Sequence, residues 1–93
     1  MAVVKQTYTR PSTAVVWYMP SSLERGYINE TYPNLVRRYS TDGDLVSIKT
    51  RTGSIEDCQR FYNELQDLTS TVFTARRKYQ DDNGITYTIE LIE

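Results

Sequence analysis

Ninety-three residues with a formal net charge of −1 and 39% hydrophobic content are enough for one domain with a single core. The near balance of charge gives no electrostatic reason to expect nucleic acid or an anionic membrane. The absence of His removes the commonest general base and metal ligand, and the lone Cys58 excludes an intrachain disulfide and a Cys-rich zinc site.

No apolar run approaches the roughly 20 residues that span a bilayer, and the N-terminus lacks the layout of a signal peptide. Cytosolic synthesis without secretion is therefore the expectation. Twelve Thr and eight Tyr against three Lys is a bias that suits sheets, which accept β-branched and aromatic side chains.

In chain order, Ala2 to Thr9 has strand composition and is followed by Arg10-Pro11-Ser12. Proline donates no amide hydrogen, so residues 1–12 are expected to form an edge strand or an arm. Thr13 to Met19, TAVVWYM, is the most apolar run and is expected to be a central strand buried on both faces. Pro20 ends it. Ser21 and Glu24 have capping-box spacing for a short first helix, weakened by Gly26 and stopped by Pro33. Leu23 with Tyr27, or Tyr27 with Thr31, would face the sheet.

Asn34 to Ser40 and Asp44 to Arg51 read as two strands joined at Thr41-Asp42-Gly43, with a two-residue and a three-residue loop both open. Ser54 caps a second helix whose first turn carries Glu56 and Asp57. Ile55, Cys58, Phe61, Tyr62, Leu65 and Leu68 fall on one stripe of it, which makes it amphipathic. The last stretch, Thr71 to Glu93, reads as a hairpin. Asp82-Asn83-Gly84 is taken as a three-residue loop ending in a left-handed Gly84, which pairs Tyr79 with Tyr87, Arg77 with Ile89, Ala75 with Leu91 and Arg76 with Glu90.

These elements give an α+β fold in one domain over residues 1–93: a ferredoxin-like, split βαβ antiparallel sheet with two helices on one face. The N-terminal edge strand or arm and the C-terminal hairpin extend it, and residues 13–93 form the βαββαββ core. Arg37-Arg38-Tyr39 and Arg77-Lys78-Tyr79 form a short echo before the two turns. The second sheet face has no helix to cover it. Tyr8, Tyr18, Tyr39, Tyr79 and Tyr87 are the expected interface residues, because tyrosine gives large contact area at low entropy cost.

The chemistry reads as mostly structural. Asp42 with Asp44, Glu56 with Asp57, and Asp81 with Asp82 fit turn and cap roles and lack the spacing of an EF-hand loop. Adjacent arginines on a strand point to opposite faces, which splits any phosphate-tracking stripe built from Arg37-Arg38 and Arg76-Arg77-Lys78. Cys58 sits on an apolar stripe with no base to activate it. No catalytic residue, metal ligand or cofactor site is assigned.

Two readings of different class follow. The composition resembles that of small bacteriophage virion or accessory proteins, which implies a non-catalytic subunit that self-associates or docks on a larger assembly. The element order from Thr13 onward resembles dimeric α+β-barrel proteins, which implies instead a small-molecule binder or cofactor-free monooxygenase with Trp17, Tyr62 and Asn63 near its pocket. Fold alone does not choose between them.

Overall fold

The computed structural model describes residues 1–13 and 22–93. Along the chain come β1 (Ala2–Thr9), α1 (Ser22–Thr31), β2 (Val36–Thr41), β3 (Val46–Gly53), α2 (Ile55–Gln66), α3 (Thr74–Asp82) and β4 (Thr86–Ile92). The four strands form one antiparallel sheet in the order β2-β3-β1-β4. The crossover from β1 to β2 skips β3, and the crossover from β3 to β4 skips β1. That is the strand order of a split βαβ sheet.

The α+β class and the antiparallel sheet stand as the sequence implied, but two assignments within it change and a third lies outside the described residues. First, Ala2–Thr9 is a central strand, paired with β3 on one side and β4 on the other. Pro11 lies two residues beyond its end, so its missing N–H never meets the ladder. The strand alternates strictly: Ala2, Val4, Gln6 and Tyr8 are buried, and Val3, Lys5 and Thr7 are half-exposed. Second, the strand expected over Thr13 to Met19 falls, apart from Thr13, outside the described residues, as do Trp17, Tyr18 and Ser21.

Third, the C-terminal hairpin does not form, because Thr74–Asp82 is helix α3. Gly84 is left-handed at φ 66°, as the turn chemistry implied, yet it closes a helix. The Ile85 amide donates to the Gln80 carbonyl at 2.9 Å and the Gly84 amide to the Asp81 carbonyl at 3.4 Å, the two bonds of a Schellman motif. Tyr87, Ile89 and Leu91 therefore pair with Tyr8, Gln6 and Val4 of β1 in place of the expected partners in the 71–80 stretch. The echo between residues 37–39 and 77–79 has no structural counterpart, since one lies in β2 and the other in α3.

The β2–β3 hairpin does form. Its strands start and end one or two residues later than expected, with the Asp42 amide donating to the Val46 carbonyl at 3.0 Å and Gly43 left-handed at φ 75°. Ser54 caps α2 as its sequence implied, its hydroxyl accepting the Asp57 amide at 3.2 Å. Leu68 falls beyond the helix end and is exposed.

The helices lie on one face of the sheet. Ala2 and Val4 pack there against Ile28 and Tyr32, against Cys58, Phe61 and Leu65 of α2, and against Phe73 at the start of α3. Ile89 and Leu91 of β4 flank this core. Helix α1 buries Glu24 and Ile28 while Leu23 is exposed, so its inward stripe is one residue out of phase with the expected one. Arg77 reaches back from α3 and donates to the carbonyls of Leu65 and Asp67, at 2.9 and 3.0 Å. It thus satisfies carbonyls that the end of α2 leaves unpaired.

Candidate functional site

Two surfaces of the sheet differ in kind. On the open side the register brings together Val3, Lys5, Thr7 and Thr9 of β1, Ile48, Thr50 and Thr52 of β3, Thr86, Thr88, Glu90 and Ile92 of β4, and Val36, Arg38 and Ser40 of β2. Six threonines and a handful of aliphatic side chains make up most of it. Thr7 lies at its centre, across from Ile48 on one side and Thr88 on the other, and Lys5 lies across from Glu90. No aromatic side chain is present on this face among the described residues.

The helix side splits into an apolar half and a polar half. Val4, Phe61 and Leu65 make the first. Toward the other end of β1 the same strand positions become Gln6 and Tyr8, and their neighbours on β3 are Lys49 and Ser47. Lys49 and Arg51 are 9% and 7% exposed, and Arg76 of α3 is 7% exposed. A single buried carboxylate joins them, Glu24, whose Oε1 lies 3.6 Å from the Arg76 Nε. Arg76 also donates to the Tyr8 hydroxyl at 2.7 Å, and the Gln6 amide donates to the same oxygen at 2.8 Å.

Aromatic rings partly stand in for missing anions. The guanidinium of Arg51 lies 5.4 Å from the Phe61 ring centre, that of Arg76 lies 5.3 Å from Phe73, and the Lys49 ammonium lies 6.0 Å from Tyr8. Among the described residues neither Lys49 nor Arg51 is paired with a carboxylate, and the buried Arg51 Nε has no hydrogen-bond partner. The electrostatics register this. Burial pushes the Lys49 ammonium down to about 8, helped by the neighbouring charges of Arg76 and Arg37. Arg51 is also lowered, first by burial and then by Arg37 across the ladder. Burial raises the Tyr8 hydroxyl to about 12.

Of the five tyrosines expected at an interface, Tyr8, Tyr39 and Tyr87 belong to the helix side of the sheet and not to its open face. Tyr8 is buried on the helix side and stacks on Tyr87 with ring centres 6.0 Å apart. Tyr39 is on the helix side of edge strand β2 and exposed, Tyr79 is half-buried on α3, and Tyr18 lies outside the described residues. Among the described residues the face without a helix over it is lined with threonine and not with tyrosine. Sequence reasoning missed Lys49, Arg51, Arg76, Gln6 and Glu24 as a group. The available signal was alternation, which puts Lys49 and Arg51 on the same side of one strand.

Arg76 does not pair with Glu90, which sits on the opposite face of the sheet next to Lys5. Tyr62 is half-buried and Asn63 exposed on α2, while Trp17, the third residue named for a barrel-type enzyme, lies outside the described residues. Cys58 is fully buried, its thiol directed to the Ala2 carbonyl at 3.4 Å and held above its usual range by burial. Such a thiol packs and does not react. Among the described residues no three His, Cys, Asp or Glu side chains converge as metal ligands, and no helix is long and apolar enough to cross a membrane.

Comparison with protein-family models, with curated proteins and with solved structures gives no match for this chain. Its function has to be read from its own surfaces.

Proposed function

We propose that this chain is a non-catalytic assembly subunit that pairs with a second copy of itself through the open face of the sheet. The observation that carries the proposal is that face: four strands wide, uncovered by any described helix, and built from threonine, valine and isoleucine with few charges. Hydroxyls both donate and accept, so a threonine surface complements its own copy under a two-fold axis, which an all-donor or all-acceptor surface cannot do. Lys5 and Glu90 neutralise each other across the β1–β4 ladder, so two such faces meet without strong repulsion.

Area sets the strength. Four strands about 4.8 Å apart and about seven residues long at about 3.3 Å each cover about 440 Å² in plan, or about 900 Å² for two copies before side-chain relief is counted. That is below the usual size of a stable specific pair, so the association is a weak, transient one. The absence of stacking rings on this face among the described residues argues against single-stranded nucleic acid as the occupant. A small subunit working through contact alone is also what the compositional likeness to phage virion and accessory proteins implies, and docking on a larger particle through the same face is the extension of this reading.

Sedimentation from about ten to several hundred micromolar tests it, because the mass should move from 10.8 kDa toward twice that value. Thr7→Glu places two carboxylates near the two-fold axis and should hold the chain as a monomer. A monomer across the whole range, or a dimer indifferent to Thr7→Glu, would refute the proposal.

A further inference from the structure

The polar half of the helix side holds more positive charge than the chain balances. Lys49 and Arg51 are about nine-tenths buried and two residues apart on β3, so their side chains leave the same face of the strand about 7 Å apart. Arg76 approaches from α3, and Arg37 stands across the ladder from Arg51 at the exposed strand β2. Against these cations stands one buried carboxylate, Glu24, already engaged by Arg76 at 3.6 Å. Among the described residues the other groups facing the cluster are neutral: Gln6 and Tyr8 from β1, Tyr39 from β2, Phe61 from α2, Phe73 before α3 and Tyr87 from β4.

Burying a cation without an anion is strongly unfavourable. The balance cannot be restored from the stretch outside the described residues, because positions 14–21, AVVWYMPS, contain neither Asp nor Glu. The lowered Lys49 has the same cause, since its burial and its cationic neighbours outweigh Glu24. An anion from outside the chain would complete the cluster.

We propose that Lys49, Arg51 and Arg76, with Arg37 at the rim, form a binding site for a tetrahedral oxyanion, carried either as free phosphate or as a phosphomonoester. Guanidinium groups present planar forks that match two oxygens at once, and an ammonium adds a compact point charge, which together suit a phosphoryl group better than a single carboxylate. The unpartnered Arg51 Nε marks where a donor waits for an acceptor. Helix α2 lies over β1, β4 and β3, whereas every residue of β2 is exposed, so among the described residues the approach is from the β2 edge, past Arg37 and Tyr39. The site is separate from the open face and stands whether or not the chain pairs.

The test is thermal unfolding and calorimetric titration of the full chain at pH 7, with inorganic phosphate in one arm, glycerol 3-phosphate in a second and chloride at matched ionic strength as reference. Phosphate should bind saturably and raise the Tm by about 6 °C or more when it stands tenfold above its Kd. Lys49→Met should melt no lower than the parent in chloride yet lose at least about tenfold in phosphate affinity, since a charge-assisted contact is removed. Lys78→Met, on the exposed side of α3 and paired with Asp82, should leave the affinity unchanged. Binding in both arms supports a site open to a substituent, and binding of phosphate alone supports one closed around the free ion. If Lys49→Met fails to fold, the parent titration decides the matter, with the Lys49 side chain required to regain its proton affinity when phosphate is added. No response beyond chloride, or unchanged affinity in Lys49→Met, overturns the proposal.

Discussion

Glu24→Gln tests the buried ion pair with little change of shape. The carboxylate is 2% exposed and the Arg76 guanidinium side chain 8%. At their 3.6 Å separation, an effective dielectric of about 20 gives an attraction of about 5 kcal/mol. Much of that is offset by the cost of taking both ions out of water, so the pair as a whole contributes far less. Removing one partner is a different matter, because it strands the other: the expected loss is about 3–5 kcal/mol. A domain of this length has roughly 5–14 kcal/mol of stability in all, so the loss is a large part of it. Urea unfolding followed by circular dichroism should show the midpoint fall by at least about 2 M at a slope of about 1.5 kcal/mol/M. Glu24 also supports the Lys49 ammonium, so in Glu24→Gln that group should titrate below its present value of about 8. The double change Glu24→Met with Arg76→Met should recover much of the loss, since two apolar side chains replace a desolvated pair. A cost under about 1 kcal/mol for Glu24→Gln, below the usual cost of stranding a buried partner, would refute this reasoning.

Other outcomes follow from the same structure. Lys49 titrates near 8 when folded and near 10.5 when unfolded, so between those values the unfolded chain holds the extra proton and stability rises with pH. Tyr8 and Tyr32, both raised to about 12 from 10, act in the opposite sense: their contribution is complete below pH 10 and is lost between 10 and 12. Stability from unfolding measured against pH should therefore climb from 8, turn over near 10 and fall beyond, and Lys49→Met should abolish the climb. Phe61→Ala, at the centre of the core and fully buried, should cost about 3–5 kcal/mol in urea unfolding. Gly84→Ala forces a side chain into φ 66° and should cost about 1 kcal/mol in the same assay, even though the nearest atom, Pro11 Cγ, leaves room at 3.7 Å.

How far the sequence could be read depends on which element is considered. The second helix was legible apart from its end, where Leu68 falls outside it, because Ser54, Glu56 and Asp57 mark its start and Cys58, Phe61 and Leu65 repeat at helical spacing. Helix α3 was not, and the reason is chemical. Its buried positions are Phe73, Arg76 and Gln80, so the inward stripe is correctly spaced but largely polar, and a search for apolar periodicity passes over it. The Asn83-Gly84 pair then serves a hairpin and a helix stop equally well. The helix-favouring run Ala75-Arg76-Arg77-Lys78 was the signal that could have decided it. In β1 the misreading came from Pro11, which was allowed to colour a strand it does not belong to. The cationic site shares the difficulty of α3: a side chain that is buried because of tertiary charge chemistry leaves no hydrophobic trace in the sequence.

The claim that the open face is where the chain meets a second copy is tested most directly by methyl and amide NMR spectra across a dilution series. The account predicts concentration-dependent shifts at Val3, Thr7, Ile48, Thr88 and Ile92, with Cys58, Phe61 and Arg76 on the helix side unmoved. Spectra that do not change with concentration, or changes confined to the helix side, would contradict it.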